Sequence, residues 1–311
     1  MHQRHPVVSV VLPIYNEVGH LEQEIERIRN AFQASAYSFE IVVVDDASTD
    51  GSLELLKAVP NIRLAAHSTN RGAGAARKLG TELATGDVVV WTDVDMSYPN
   101  EMLPDLVTAL EGHDQVIGCR TSEKGSHRFA RFTAKWAIRR LAQFLSRTRI
   151  PDLNSGFRAF RRDVAMQFLY LFPKGFSHVS TMTMAFLAND YSVQYMDIPY
   201  SKRAGRSKFH WYRDTRRYLQ QVVRMIMMWN PIRILMPIAF ALFTLGAGKV
   251  VFDIFDKNFR IGTNTLLIMT AAMVIGVLAL LADLMSQMSR PHRLVAPAAL
   301  VVSEPDAEDP T

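Results

Sequence analysis

Three short apolar runs constrain this chain most, because each is followed by polar or acidic residues. Val7 to Leu12, Ile41 to Val44 and Val88 to Trp91 are rich in β-branched residues and read as buried strands. Asn16 and Glu17 follow the first, Asp45 and Asp46 the second, Asp93 and Asp95 the third. Helix-like segments intervene, and Ile62 to Ala66 and Val116 to Arg120 read as further strands. Strands alternating with helices predict an α/β domain built on a parallel sheet with right-handed crossovers. Ligands of such sheets bind at the carboxyl ends of the strands, where these polar residues gather.

Asp93 and Asp95 are two apart, so in an extended segment they share a face. Two carboxylates on one face repel unless a cation or donor sits between them. Oxygen-only ligands suit Mg²⁺ or Mn²⁺, with substrate phosphates completing the shell. A solvated turn after a strand is the plainer reading of the same pair.

Along the chain, Pro13 is expected to end the first strand. Asn16 is expected to cap an amphipathic helix over Glu17 to Asn30 that buries Leu21, Ile25 and Ile28. The Asn70 to Arg77 segment starts a helix from a loop whose Gly72 and Gly74 could bring backbone amides to a phosphate; helix–strand packing explains such glycines equally well. Pro99 to Leu110, Arg162 to Phe172, Ser180 to Ala188 and Asp214 to Trp229 read as helices, and Ser192 to Ile198 as a strand. His127 to Arg149 is a basic amphipathic helix with aromatics, suited to packing on the sheet or to an anionic membrane surface. Its flanking segments argue against nucleic acid. Lys202, Arg203, Arg206 and Lys208 surround Gly205 and Ser207 in a loop that could clamp phosphates, or be solvated.

The last third changes character. Ile234 to Phe252 and Leu266 to Ala282 are almost wholly apolar, near the roughly 20 residues a bilayer span needs. Two buried core helices are the alternative. Hydrophobic residues make up 49% of the 311 residues, yet the formal net charge is +5, so the apolar residues are concentrated and anionic partners are favoured. Arg216, Arg217, Arg224 and Arg233 precede the first span, and Arg290 and Arg293 follow the second. The positive-inside rule then places both flanks in the cytoplasm, giving a multi-pass protein of the inner (cell) membrane. The expected organisation is a cytoplasmic catalytic domain over 1–210, an amphipathic juxtamembrane helix over 211–232, two spans over 233–289 and a disordered cytoplasmic tail over 290–311. The first residues lack the apolar core of a signal peptide. Cys119 is the only cysteine, which excludes an internal disulfide and a cysteine zinc site.

In their order and spacing these motifs resemble the inverting family 2 glycosyltransferases of the nucleotide-sugar-binding A-type fold. The matching stretches are Val10 to Glu17, Val43 to Gly51, Asn70 to Arg77, Thr92 to Asp95, Gly118 to Arg120, Asp152 to Arg158 and Arg203 to Lys208. With the two-span tail, the chain is most similar to the polyprenyl-phosphate (dolichyl- or undecaprenyl-phosphate) glycosyltransferases. That resemblance implies a domain with a mostly parallel sheet between helices, followed by two transmembrane helices. It implies that Pro13, Tyr15, Glu17, Asp45 and Asp46 hold the nucleotide. Asp93 and Asp95 would bind Mg²⁺ or Mn²⁺ on the donor diphosphate, with Asp95 catalytic, and Arg203, Ser207 and Lys208 would close over it. Arg120, Arg131, Ser155 and Arg158 would receive the lipid phosphate, with Asp152 a second catalytic residue near the acceptor. Where relatives often carry a glutamine metal ligand, this chain has Ser97. Relatives with such a tail suggest a homotetramer.

The reaction so implied is inverting transfer of a sugar from a UDP- or GDP-linked donor to polyprenyl phosphate in the lipid bilayer. The acceptor phosphate ionises with a second pKa of about 6, so it needs little help from a base. Asp152 would then orient the acceptor or a cation. The alternatives are a processive polysaccharide synthase and a non-catalytic, membrane-anchored sugar-nucleotide-binding protein. Gln221 to Arg224 is followed by Met225 where synthases carry tryptophan, and the acidic strand ends that a non-catalytic protein would be expected to lose are all present.

Overall fold

The computed structural model describes residues 7–120, 150–172, 178–201, 220, 223–225, 227–256 and 261–288. Among the described residues, seven strands form one sheet in the order β3-β2-β1-β4-β6-β5-β7. They are β1 (Val8–Ile14), β2 (Phe39–Asp45), β3 (Arg63–Ala66), β4 (Val88–Trp91), β5 (Gln115–Arg120), β6 (Arg158–Arg161) and β7 (Val193–Ile198). Among the described residues, the α-helices are α1 (Leu21–Gln33), α2 (Ser52–Ala58), α3 (Ala73–Leu83), α4 (Leu103–Thr108), α5 (Arg162–Met166), α6 (His178–Ala188), α7 (Ile232–Asp256) and α8 (Thr263–Met288), and residues 220, 223–225 and 227–229 are also helical.

Both faces of the sheet are covered, which explains why its strands are apolar without alternation. Val10, Val43 and Val90 enter one core with Ile25, Ile28 and Leu106. Their neighbours Val11, Val42 and Val89 enter the other with Phe160, Phe168 and Phe186. Met225 and Trp229 join this second core, so the segment leading into α7 is seated on the sheet domain. Phe168 meets Trp229 edge-on, with ring centroids 6.5 Å apart.

Several expectations are corrected. The sheet is mixed: β6 runs antiparallel between β4 and β5. The Arg158–Arg161 strand was not foreseen because Arg-Ala-Phe-Arg carries no β-branched residue; its neighbours on both sides make it a strand. Pro13 does not end β1 but pairs with Val44 inside it. Pairing with β4 stops at Val11, so beyond that point β1 has a free side where a missing N–H costs nothing. Asn16 caps no helix. It takes a left-handed backbone, φ 56°, and α1 starts at Leu21. The 162–172 helix is two pieces, α5 and a 3₁₀ turn at Leu169–Leu171. The basic helix over 127–149, the loop over 202–208 and the tail over 290–311 lie outside the described residues.

Helices α7 and α8 form an antiparallel hairpin. With 25 and 26 residues and mean hydropathies of 1.9 and 2.5, both are long and apolar enough to cross a membrane. Their mutual seam repeats every seven residues: Ala239, Gly246 and Asp253 on α7, and Thr265, Ala272, Ala279 and Ser286 on α8. Small residues let the backbones approach, as apolar spans require when lipid offers no hydrophobic drive to associate. Large apolar side chains such as Phe252, Phe255, Leu267 and Leu281 are exposed away from the seam. Beside it, near the sheet domain, Met236, Phe240, Phe243 and Met269 line an apolar crevice of about 1020 Å³ with Arg233 at its edge.

Candidate active site

A cleft of about 420 Å³ opens at the carboxyl ends of β1, β2 and β4. These strands flank the point where strand order reverses, with β2 on one side of β1 and β4 on the other. Each of the three turns leaving them bends through a left-handed residue that is not glycine: Asn16 (φ 56°), Ala47 (φ 61°) and Met96 (φ 60°). That conformation costs roughly 1–2 kcal/mol per residue. Local hydrogen bonds hold it. Asn16 N donates to Ser48 Oγ at 3.0 Å, and Asn16 Oδ1 accepts from Thr49 N at 2.8 Å. Ser48 N donates to Asp45 Oδ2 at 3.1 Å, and Ser97 N to Asp95 Oδ1 at 3.1 Å. The rim is therefore shaped before any ligand arrives.

Pro13, Tyr15, Glu17, Asp46, Asp93, Asp95 and Arg120 all line this cleft. Asp45 does not; it is fully buried beneath the 46–48 turn, and its carboxylate serves that turn. Asp46 accepts from His67 Nδ1 at 2.7 Å, Arg71 N at 2.9 Å and Gly72 N at 2.6 Å. The Gly72 amide thus closes the 70–72 loop onto β2 and is not turned to a phosphate. Asp95 is buried at 3% exposure, and the Ser97 hydroxyl donates to it. Ser97 therefore orients Asp95.

Asp93 is held from two directions. Arg77, on the buried face of α3, donates from Nη2 to Asp93 Oδ1 at 2.7 Å and to the Thr92 carbonyl at 3.4 Å. Beneath, Asn100 Nδ2 donates to the Asp93 carbonyl at 3.1 Å and to Glu24, and Asn100 accepts from the Thr92 hydroxyl. Arg77 Nη1 donates to His178 Nε2 at 2.8 Å. A guanidinium only donates, so His178 accepts there and is the neutral imidazole with its proton on Nδ1. Arg77 also lies 5.4 Å from the Trp91 ring.

At the end of β5, Arg120 forms a two-point pair with Asp152, Nε to Oδ2 at 2.6 Å and Nη2 to Oδ1 at 2.9 Å. The Arg120 guanidinium sits 5.2 Å from the Tyr200 ring. Burial opposes the charge on Asp152, but the hydrogen bonds and charge of Arg120 outweigh it and hold the carboxyl below the ordinary range. Tyr98 accepts from Gly156 N at 2.8 Å. Burial, with the Asp93 charge adding, pushes its hydroxyl up to about 12, so it stays protonated. Ser155 and Arg158 are fully buried behind the cleft. Arg158 donates to the carbonyls of Ser155 and Val179 and to Thr183 Oγ1, bracing α6 against β6. It is thus a strut of the wall, not a group facing an acceptor. Arg131, Arg203, Ser207 and Lys208 lie outside the described residues.

Arg77, His178, Tyr98 and Tyr200 line the cleft and were not singled out from the sequence. Arg77 carried one usable signal: a lone charge among Gly74, Ala76 and Gly80 on the buried face of α3.

For a divalent cation, the fit rests on the donor set. Asp93 and Asp95 supply hard oxygen ligands in a cleft that opens to solvent. Among the described residues no group of three His, Cys, Asp or Glu side chains could enclose an ion. Such a half-shell suits Mg²⁺ or Mn²⁺ completed by phosphate oxygens and water, and does not suit an all-protein cage.

The profile of glycosyl transferase family 2 matches residues 9–169, and that of the GtrB C-terminal hairpin matches residues 230–288. Undecaprenyl-phosphate 4-deoxy-4-formamido-L-arabinose transferase of Aeromonas hydrophila subsp. hydrophila is 35% identical over 164 residues, 51% of this chain and 50% of that protein. The matched region spans about half the length of that relative. Among solved structures, glucosyl-3-phosphoglycerate synthase from Mycobacterium tuberculosis with Mn²⁺, UDP-glucose and phosphoglyceric acid superposes with a TM-score of 0.56 at 17% identity. The alignment covers 71% of this chain and 79% of that one. The same enzyme with Mg²⁺ and UDP gives 0.56 at 18% identity, with the same coverage of each chain. At such identities the likeness is one of fold.

Proposed function

The chain belongs to glycosyl transferase family 2, and from that premise we propose that it moves one sugar from a nucleotide diphosphate sugar to a polyprenyl phosphate at a membrane surface. The observation that carries this reading is the cleft's lining. Asp46 follows β2, Asp93 and Asp95 follow β4, and Arg120, fixed by Asp152, ends β5 two strands beyond β4, in a chain that continues into a membrane-length hairpin.

The donor's nucleoside would lie against Pro13, Tyr15, Glu17 and Asp46, with Asp45 shaping the turn beneath. Its diphosphate would reach Asp93 and Asp95, which would hold Mg²⁺ or Mn²⁺. That cation supplies positive charge to the leaving diphosphate. Arg203, Ser207 and Lys208 are the groups expected to cover it.

The acceptor is an anion and needs a fixed cation. Arg120 is held at two points by Asp152 and rests against Tyr200, so it presents its charge without reorganising. A phosphate oxygen attacks the anomeric carbon. The new carbon–oxygen bond forms as the bond to the diphosphate breaks, and the nucleoside diphosphate leaves with its electrons. No proton has to be removed from a dianionic phosphate, and the depressed pKa of Asp152 suits an orienting carboxylate and not a base. One in-line displacement inverts the anomeric centre, so an α-linked donor yields a β-linked lipid product.

Arginines before α7 and after α8 support a catalytic domain and tail on the cytoplasmic side of the inner membrane. Seating of Met225 and Trp229 in the sheet domain supports a cleft held close to the bilayer.

The test is transfer of radiolabel by the purified full chain, with Mn²⁺ and a panel of UDP- and GDP-sugars, with and without undecaprenyl phosphate. Label should move into the organic phase only with the lipid present. Label that stays in water with every donor, or enters a polymer, would overturn the proposal.

A further inference from the structure

Arg77 is a buried charge lining the cleft, at 3% exposure, and no expectation drawn from the sequence gave it a role. It is held on several sides: Asp93 Oδ1 and the Thr92 carbonyl at one end, His178 at the other, and the Trp91 ring alongside. A guanidinium so held is a fixed point and not a swinging tether.

Space for this contact is made by Gly156. A Cβ built there would lie 2.8 Å from Arg77 Nη2 and 3.3 Å from Asp93 Oδ2. Its φ is not in the left-handed region, so conformation does not demand glycine at this position. The absence of a side chain matters because the guanidinium and the carboxylate meet against this backbone. The two oxygens of Asp93 then differ. Oδ1 accepts from Arg77, while Oδ2 makes no hydrogen bond among the described residues.

We propose that Arg77 is a positioning residue for Asp93: it occupies Oδ1 and leaves Oδ2 as the oxygen offered to the divalent cation, with Gly156 kept bare to admit the guanidinium and His178 bracing its far side. This rests on the reading that Asp93 and Asp95 receive that cation. The same pair could contribute only to folding, and the two roles separate experimentally. Groups that orient a metal ligand typically change metal affinity by about 10–100-fold when removed. A purely structural pair changes the melting temperature and leaves affinity alone.

The experiment titrates Mn²⁺ in the presence of UDP, following free Mn²⁺ by electron paramagnetic resonance, on the full chain in detergent. Wild type is compared with Arg77→Met, Arg77→Lys, Gly156→Ala and the double variant Arg77→Met/Gly156→Ala, with Asp95→Asn as the control for the site itself. Thermal melting is recorded for each. Arg77→Met and Gly156→Ala should each weaken Mn²⁺ binding about tenfold or more. Arg77→Lys, which keeps the charge but loses the fork, should lie between wild type and Arg77→Met. The double variant should be no worse than Arg77→Met, because both changes act through one carboxylate. Should Arg77→Met not fold, Arg77→Lys and Gly156→Ala carry the comparison. Unchanged or tighter Mn²⁺ binding in the folded Arg77 and Gly156 variants, with Asp95→Asn still defective, overturns the proposal and leaves the metal reading standing. A wild-type chain that binds no Mn²⁺ with UDP overturns both.

Discussion

Arg120 and Asp152 lie 32 residues apart in sequence and meet at 2.6 and 2.9 Å at the side of the cleft, with their side chains only 13% and 11% exposed. A carboxylate locked into a guanidinium fork is poorly suited to remove protons and well suited to hold the arginine still.

Asp152→Asn should therefore damage acceptor use without changing the pH dependence. A carboxylate with a lowered folded pKa contributes stability above its unfolded value of about 3.9 and loses it only as pH falls through the folded value. Asp152 thus stays charged from pH 5 upward. Any acidic limb of the rate near pH 6 belongs to the acceptor phosphate, whose second pKa is about 6. In steady-state assays, KM for polyprenyl phosphate should rise about tenfold in Asp152→Asn, in line with loss of about 1.4 kcal/mol of positioning. The acidic limb should stay where it is in wild type. Loss of that limb in the variant would make Asp152 the base after all.

Asn100 joins α1 to the loop that carries Asp93, through Glu24, the Thr92 hydroxyl and the Asp93 carbonyl. Glu24 is fully buried and keeps one further partner, Arg27, at 3.2 Å. Asn100→Ala should cost about 1.5–3 kcal/mol, the range for hydrogen bonds to a charged group. Chemical denaturation monitored by Trp91 and its neighbours measures this. A loss within error of zero would mean that the network relaxes freely.

Gly80 marks where α3 lies flush on the sheet. A Cβ there would come within 2.4 Å of Val11 Cγ1 and 3.3 Å of Val44 Cγ2. Gly80→Ala gains up to about 1 kcal/mol in helix propensity but forces an overpacking cost of about 1–3 kcal/mol. Both residues it strikes are buried in strands, so the net effect should be a lower melting temperature.

At the closed end of the hairpin, Asp253 is fully buried, accepts from Gly262 N at 2.9 Å and from the Thr265 hydroxyl, and has Lys249 Nζ at 4.0 Å. It serves as the cap of α8, satisfying donors that apolar surroundings would leave stranded. Asp253→Ala and Thr265→Val should each lower the detergent melting temperature. The double variant should fall short of the sum, since the two share one bond. Strict additivity would show that the cap acts elsewhere.

Much of this architecture was legible because its signals are local. Runs such as Ile41 to Val44 can be satisfied only by a strand buried on both faces, and two long apolar runs near the carboxyl end admit few fates. The carboxylates were legible by their place after those runs. What escaped depends on contacts between distant segments. Arg158–Arg161 becomes a strand only because β4 and β5 flank it. Arg77 reaches Asp93 across 16 residues and His178 across 101, which no spacing rule registers. The family resemblance made Arg158 a phosphate ligand, whereas here Ser155, Val179 and Thr183 accept from its guanidinium.

The most direct measurement is the anomeric configuration and stoichiometry of the lipid product, made by the purified chain with Mn²⁺, an α-linked nucleotide sugar that it accepts and undecaprenyl phosphate, and read by NMR and mass spectrometry. One sugar per lipid phosphate in β linkage is expected, with no product from Asp95→Asn. An α-linked product, a chain of several sugars, or full activity in Asp95→Asn would contradict it.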